Sequence, residues 1–462
     1  MDRIESYKVV CSGGLNSNEN HLDMAENSPG SATRLINYEP SLFGGYRRIE
    51  GFDYYDSTVT YGGGGYGQEV QALDGSSNPV AEGKILGVAM YRNEVLGNPY
   101  PIAMRKDVGA TTYSFWKYTP LVGWSKFSTG LTHNTVSGSR SLTKVRCVHF
   151  NFGSGSMIAF VARVHPCTFF DGPNWKQILS TNTGGTSSPG GPNVYDAPEI
   201  VEVFENYLFI GGDKAYEYGL AHSAPLDAFT WTTAADSQQY SVGYNIVQIK
   251  PFREDLFVFG TNAIKKFRAD TATNAPAPFK ADSVTTNVGC IARDSVQELG
   301  GDLVFLAPDG LRPCAGTARI GDVELSSISK AIQGRLIDII KNEDLSTLNS
   351  TVIRSKSQVR FFVGDDTDEG LGILGGLTFK NGSVEWEFSE LLGMKVACCA
   401  SEFIGATEYI IHGGFDGKIY RQEQGNSFAG TNVVSIYSTP YLDFCDTEIR
   451  KIINKLNTIF PA

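Results

Sequence analysis

The sequence has little charge, no long apolar run and no recognisable catalytic or metal-binding signature. No stretch approaches the roughly 18 consecutive apolar residues that a membrane-spanning helix needs. The opening, Met1-Asp2-Arg3-Ile4-Glu5, is charged and no apolar segment follows it, so no secretory signal is expected. The eight cysteines (Cys11, Cys147, Cys167, Cys290, Cys314, Cys398, Cys399 and Cys445) contain no CxxC pair, which argues against a structural zinc site and against a disulfide framework. Cys398-Cys399 sits in an apolar run and is expected to be a pair of buried thiols. The six histidines (His21, His133, His149, His165, His222 and His412) show no HExxH spacing. His149 lies in a strand-like run and is expected to be half-buried. Gly153-Ser154-Gly155-Ser156 lacks the order of a nucleophile elbow. Tyr61-Gly62-Gly63-Gly64-Gly65-Tyr66-Gly67 lacks the Lys-Ser/Thr and following helix of a phosphate-binding loop. These absences leave no catalytic residue, cofactor or metal site to assign.

Charged residues make up only 19% of the chain, below the usual quarter. The balance is acidic: 39 Lys and Arg stand against 50 Asp and Glu, a net charge of −11. A groove that grips nucleic acid by its phosphates is basic, so tight DNA binding is not expected. An acidic pore along which DNA slides stays open, because like charge keeps a duplex off the wall.

Glycine and aromatics are plentiful, with 51 Gly, 27 Phe and 21 Tyr in 462 residues. This suits many short strands joined by tight turns rather than helix bundles. From about residue 84 such strands recur in groups. Ile85–Tyr91, Pro101–Arg105, Tyr113–Tyr118 and Gly123–Phe127 form the first. Further groups begin near Val145, Ile200, Asn245, Ser295 and Gln358, and a partial one covers Glu408–Arg421. Trp124, Trp175 and Trp231 recur late in the first three groups, where an aromatic closing the outer strand would pack on the next sheet. Meanders spaced by 40 to 55 residues predict a β-propeller, here all-β with six to seven blades; a string of β-sandwiches is the rival. One segment departs from the β pattern. Ile328, Ile332, Leu336, Ile339 and Ile340 repeat at helical spacing, which predicts an amphipathic helix at about 327–345, started by Ser327 or Ser329 and packed on the propeller's flank. Asp365-Asp366-Thr367-Asp368-Glu369-Gly370 reads as a solvated inter-strand loop or, through Asp366 and Asp368, a cation site lacking the distal Glu of a calcium loop.

Residues 1–60 form an extended polar arm with turns at Pro29-Gly30 and Gly44-Gly45 and a strand-like Tyr46-Arg47-Arg48-Ile49. The arm, with Leu35-Ile36-Asn37-Tyr38-Glu39-Pro40 and Gly44-Gly45-Tyr46-Arg47-Arg48-Ile49-Glu50-Gly51-Phe52, resembles the opening of the tail nozzle (tail tubular protein B) family of short-tailed phages. Thr439-Pro440-Tyr441-Leu442-Asp443-Phe444 resembles the strand by which that family returns from its propeller to a platform. The resemblance covers about 60 residues at the start and about 12 near the end. It implies a propeller over 61–430 and a small β platform from 1–60 and 431–462, which would need more strands than follow Asp443; another chain would complete it, or this is a short form. It implies a virion protein assembled in the bacterial cytoplasm: a homo-oligomeric, sixfold ring bound to the head–tail adaptor and to tail fibres or other tail proteins. Genome DNA would pass without sequence specificity, and no membrane or catalysis would be involved. Tyr38, Tyr46, Arg47, Arg48, Tyr441, Asp443 and Arg450 are then the expected partner contacts; for Arg47-Arg48 a plain surface strand is the alternative. Other functions kept open are a plug or hub protein that stabilises packaged DNA, and a propeller glycosidase or receptor-sugar binder.

Overall fold

A computed structural model of the chain describes residues 11–28, 30–42, 44–55, 60–61, 65–66, 83–92, 99–106, 113–119, 123–126, 144–153, 155–179, 188–189, 191–271, 277–314, 328–367, 369–380 and 382–442. Pro29, Ser327, Asp368, Asp443, Arg450 and Cys445 lie outside them.

The fold is all-β, a seven-bladed propeller. Its middle strands carry continuous apolar runs, as strands buried on both faces require. Leu208, Phe209, Ile210, Leu256, Val258, Phe259, Leu303 and Phe305 are all fully buried. Tight turns fix the hairpin registers. Phe204 faces Tyr207 across Glu205-Asn206, both left-handed (φ 47° and 64°), and Leu299 faces Asp302 across Gly300-Gly301 (φ 66° and 78°). Two consecutive left-handed residues match the twist of a hairpin.

Blades 1 to 4 are meanders of four consecutive antiparallel strands, to which blade 2 adds Ser188–Pro189 in parallel beside Trp175–Leu179. Their innermost strands are Ile85–Tyr91, Arg146–Asn151, Ile200–Phe204 and Gln248–Phe252. Blade 5 has three described strands, Gln297–Leu299, Asp302–Ala307 and Gly310–Pro313. Blade 6 runs from Asn349–Ile353 to the long hairpin Leu371–Lys380 and Ser383–Leu391; blade 7 contains Cys398–Ile404, Thr407–Gly413 and Ile419–Gln422. A separate apolar cluster fills each of the seven gaps between neighbouring blades. The last joins blade 7 to blade 1 through Ile85, Val88, Trp116, Cys398, Ile411 and Ile419, so the ring is closed.

The described parts of the N-terminal arm and of the C-terminal region lie against blades 6 and 7. Phe52–Tyr54 pairs antiparallel with Ile419–Gln422 and supplies blade 7's outer strand; Phe428 continues that sheet beyond it. Arg34–Ile36 extends blade 6 in parallel and pairs with Ile436–Ser438. Tyr38–Pro40 and Tyr46–Arg48 form a hairpin of their own.

Three strands differ from the sequence expectation. The outer strand of blade 3 is Gln238–Ser241, not the segment around Trp231. Trp231 is fully buried in the preceding loop, its indole N–H donating to the Ala228 carbonyl at 2.9 Å. Asn349–Ile353 and Cys398–Ile404, the innermost strands of blades 6 and 7, open on small and polar residues (Asn349, Ser350 and Thr351; Cys398, Cys399, Ala400 and Ser401) in place of an apolar run. The helix is Gln333–Asn342, preceded by a 3-10 turn Lys330–Ile332. Ile332, Leu336 and Ile339 face the core between blades 5 and 6. Ser329 is not its side-chain cap; that hydroxyl accepts from the Leu311 N–H at 2.9 Å. Asn18 of the arm caps the helix instead, its Oδ1 accepting from the Gly334 N–H at 2.9 Å.

Candidate functional site: the axial bolt and the arm seam

At the mouth where the innermost strands begin, the propeller axis is crossed by ion pairs. Arg146 of blade 2 grips Asp294, just before blade 5, through two 2.8 Å bonds, and Lys144 reaches the same carboxylate at 3.0 Å. Blades 2 and 5 are not neighbours in the ring, so these bonds span the axis. Glu199, before blade 3, binds Arg146 at 3.2 Å, Arg163 at 3.1 Å and Arg293 more closely still. Gln248 of blade 4 reaches the Arg293 carbonyl at 3.2 Å, Gln297 of blade 5 reaches Ser350 of blade 6 at 2.9 Å, and Asn349 reaches the carbonyls of Val396 and Ala397 at 3.1 and 3.0 Å. Burial alone would raise Asp294, but Arg146 and Lys144 hold it far below the usual carboxylate range. Glu199 is lowered in the same way, with Arg293 and Arg146 outweighing its burial.

Lys144, Arg146 and Asp294 of this bolt also line an axial space of about 400 Å³. Glu402 of blade 7 and Glu202 of blade 3 line it. Glu202 is paired with Lys250 at 2.8 Å, and Glu402 lies 3.5 Å from Arg92. Burial pushes the Glu402 carboxyl up.

The second concentration of buried charge is the seam where the arm meets blades 6 and 7. Arg360 and Glu39 are both fully buried and lie 3.4 Å apart; Arg360 is also 2.7 Å from Glu423. Lys356 binds Glu39 at 2.9 Å and Glu423 more closely. Burial opposes the charge on Glu423, yet Arg360 and Lys356 lower its pKa. A few residues away, the Tyr46 hydroxyl donates to Glu387 and accepts from the Gly14 N–H, while the Gly13 N–H reaches the same carboxylate at 3.2 Å. Burial, followed by the Glu387 charge, pushes the Tyr46 phenol well up.

The residues expected to meet partners fall into three groups. Tyr46 is buried, and Tyr38 packs edge-on against Tyr437 with centroids 6.3 Å apart, so both serve the seam. Arg47 is half exposed while pairing with buried Glu39, and Arg48 is exposed and bonded to Asn426 at 2.7 Å. Tyr441 is 70% exposed; Asp443 and Arg450 lie beyond the described residues. Glu39, Arg360 and Glu423 carried no sequence signal, since their contacts bridge residues as many as 321 positions apart. Asp365 caps its own turn through Thr367 N–H and Oγ1 at 2.8 and 2.7 Å. Among the described residues no group of three metal-ligating side chains converges, and no helix is long and apolar enough to cross a membrane. The seven described cysteines are free thiols. His149 is half-buried, beside the Tyr91 ring.

Fold and site together define a closed seven-bladed propeller, bolted across its axis, with an N-terminal arm completing its last blade. No known protein family and no curated protein matches the sequence. Among solved structures, the chain is similar to an extracellular domain described as that of a hybrid two component system from B. thetaiotaomicron, at 9% identity and a TM-score of 0.40. The match covers 78% of this chain and spans 40% of the length of that one.

Proposed function

We propose that the chain is a structural component of a phage tail, the nozzle that forms a ring around the DNA channel below the head–tail adaptor. The observation that carries this is the placement of the nozzle-like arm. Its Phe52–Tyr54 strand is built into blade 7, while its Tyr46–Arg48 hairpin leaves Arg47 and Arg48 at the surface. Those arginines, exposed while bonded to Glu39 and Asn426, and the exposed Tyr441 are the contacts we assign to a neighbouring subunit or adaptor. A cyclic ring uses head-to-tail contacts, so each subunit needs two different complementary faces. The axial bolt also supports a structural role, since its carboxylates are held charged by cations. The net charge of −11 suits a wall along which DNA slides. Native mass spectrometry of the chain, with and without the head–tail adaptor, tests the assignment. A closed ring, alone or on the adaptor, is the expected result; a monomer indifferent to the adaptor contradicts it.

One observation favours a second activity. Glu402 and Glu202 share the channel in different settings, one raised by burial and one paired with Lys250. Two carboxylates in unlike environments are one requirement for a glycosidase acid and its partner. Hydrolysis of host polysaccharide that disappears in Glu402→Gln would support this activity; no hydrolysis by the unmodified chain would remove it.

A further inference from the structure

A half-open groove of about 550 Å³ lies between blades 6 and 7 and the two chain ends. Its floor is aromatic. Phe52 of the arm stacks on Phe428 with centroids 4.9 Å apart, and Tyr420 stacks on His412 at 5.0 Å. Burial lowers the His412 pKa to about 3, so that ring is neutral at physiological pH. Phe415 also lines the groove, is half-buried, and makes no ring contact among the described residues. Ala429, on the wall, is held left-handed (φ 47°) while its N–H donates to the Phe52 carbonyl at 2.8 Å. A strained residue at a pocket wall indicates that the surrounding contacts over-determine the shape.

The rim is polar and of mixed character. Asp366 is 75% exposed and offers a carboxylate; Lys395, 4.0 Å from it and 45% exposed, offers an ammonium. The exposed Thr431 and Asn432 add a hydroxyl and an amide. An apolar ligand would gain nothing from such a rim. An anion would meet Asp366, and a cation would meet Lys395. A saccharide has an apolar C–H face for an aromatic ring and hydroxyls that both donate and accept. Pockets of several hundred Å³ with an apolar lining and a few polar groups are the usual form of small-molecule sites.

We propose that this groove binds a short neutral saccharide, with a sugar face on Phe415 and its hydroxyls on Asp366, Lys395 and Asn432. Because Phe52, Phe428 and Ala429 come from the two chain ends, the site exists only when the arm is docked. The groove's chemistry does not depend on ring assembly, so failure of either proposal leaves the other standing.

Saturation-transfer difference NMR on the full chain tests it, with D-glucose, D-galactose and N-acetyl-D-glucosamine as probes at millimolar concentration and choline as a cationic comparison. Transfer to the ring protons of at least one sugar is expected. Most of that signal is lost in Phe415→Ala, and it falls several-fold in Asn432→Ala, whose side chain is exposed and not needed for folding. Lys214→Ala, on exposed blade 3 surface, leaves it unchanged. Absence of transfer to all three sugars, transfer that survives both groove substitutions, or transfer to choline in place of the sugars would overturn the proposal.

Discussion

Blades 3 and 4 and blades 6 and 7 reach the same architecture by different means. The core between blades 3 and 4 is drawn from residues 200–279, with Ile200, Phe209, Leu220, Ile249, Val258, Phe267 and Phe279 all near zero exposure. The core between blades 6 and 7 needs Ile49 and Phe52 from one chain end and Phe428 and Val433 from the other. Beside it lies a buried cluster of Glu39, Lys356, Arg360 and Glu423. Local hairpins are stabilised by apolar burial wherever the pattern is right. A seam joined from remote segments also carries charges that are tolerable only when all partners are present, because removing one member of a buried pair leaves the other uncompensated. The comparison predicts a robust side and a conditional side to one ring.

The largest effect should come from deleting residues 1–55. This strips blade 7 of its outer strand and removes Glu39 from Arg360, and the expected outcome is loss of the cooperative fold, seen as a missing thermal transition. Arg360→Ala comes next. It leaves buried Glu39 with Lys356 and the half-exposed Arg47, and Glu423 with Lys356, and should cost about 3–5 kcal/mol in urea unfolding. Phe267→Ala in blade 4 removes a buried ring of the robust side at a comparable cost of about 3–5 kcal/mol. The two substitutions should differ in where the structure opens: the first releases the arm, the second loosens blades 3 and 4.

Acid should weaken both sides. The pKa values of Glu423, Glu199 and Asp294 are depressed in the fold, so their stabilisation is present above the ordinary carboxylate range and is lost as pH falls through and below it. His412, lowered to about 3, and His222, lowered to about 4, act in the same direction. They stay neutral in the fold while the unfolded chain takes up protons below its own imidazole pKa, so stability declines from about pH 6.5 down to those folded values. A thermal midpoint that falls steadily between pH 7 and pH 4 is expected. The smallest effect is that of Arg48→Ala, an exposed residue, which should move stability by no more than about 0.5 kcal/mol. If the hairpin is a tail contact, the same change should weaken adaptor binding, measurable by co-sedimentation.

The same contrast explains what was legible in the sequence. The propeller was, because middle strands such as Leu256–Phe259 are apolar runs bounded by turn residues at a steady spacing. The helix was, because Ile332, Leu336 and Ile339 mark one face. The innermost strands Asn349–Ile353 and Cys398–Ile404 were not, since their residues face an axis filled by polar contacts and lack the alternation of a half-solvated sheet. Trp231 misled, because a buried aromatic serves equally well in a loop. The axial bolt and the seam were also hidden. Lys144 and Asp294 are 150 positions apart and Glu39 and Arg360 are 321 apart, and no local pattern reports which distant charge a buried charge meets.

Hydrogen exchange on the intact chain and on Arg360→Ala tests the contrast between the two sides most directly. The account predicts that protection falls first at 34–36, 52–54 and their partners in blades 6 and 7, while the central strands of blades 3 and 4 keep theirs. Equal loss of protection through all blades, or loss beginning in blades 3 and 4, would contradict it.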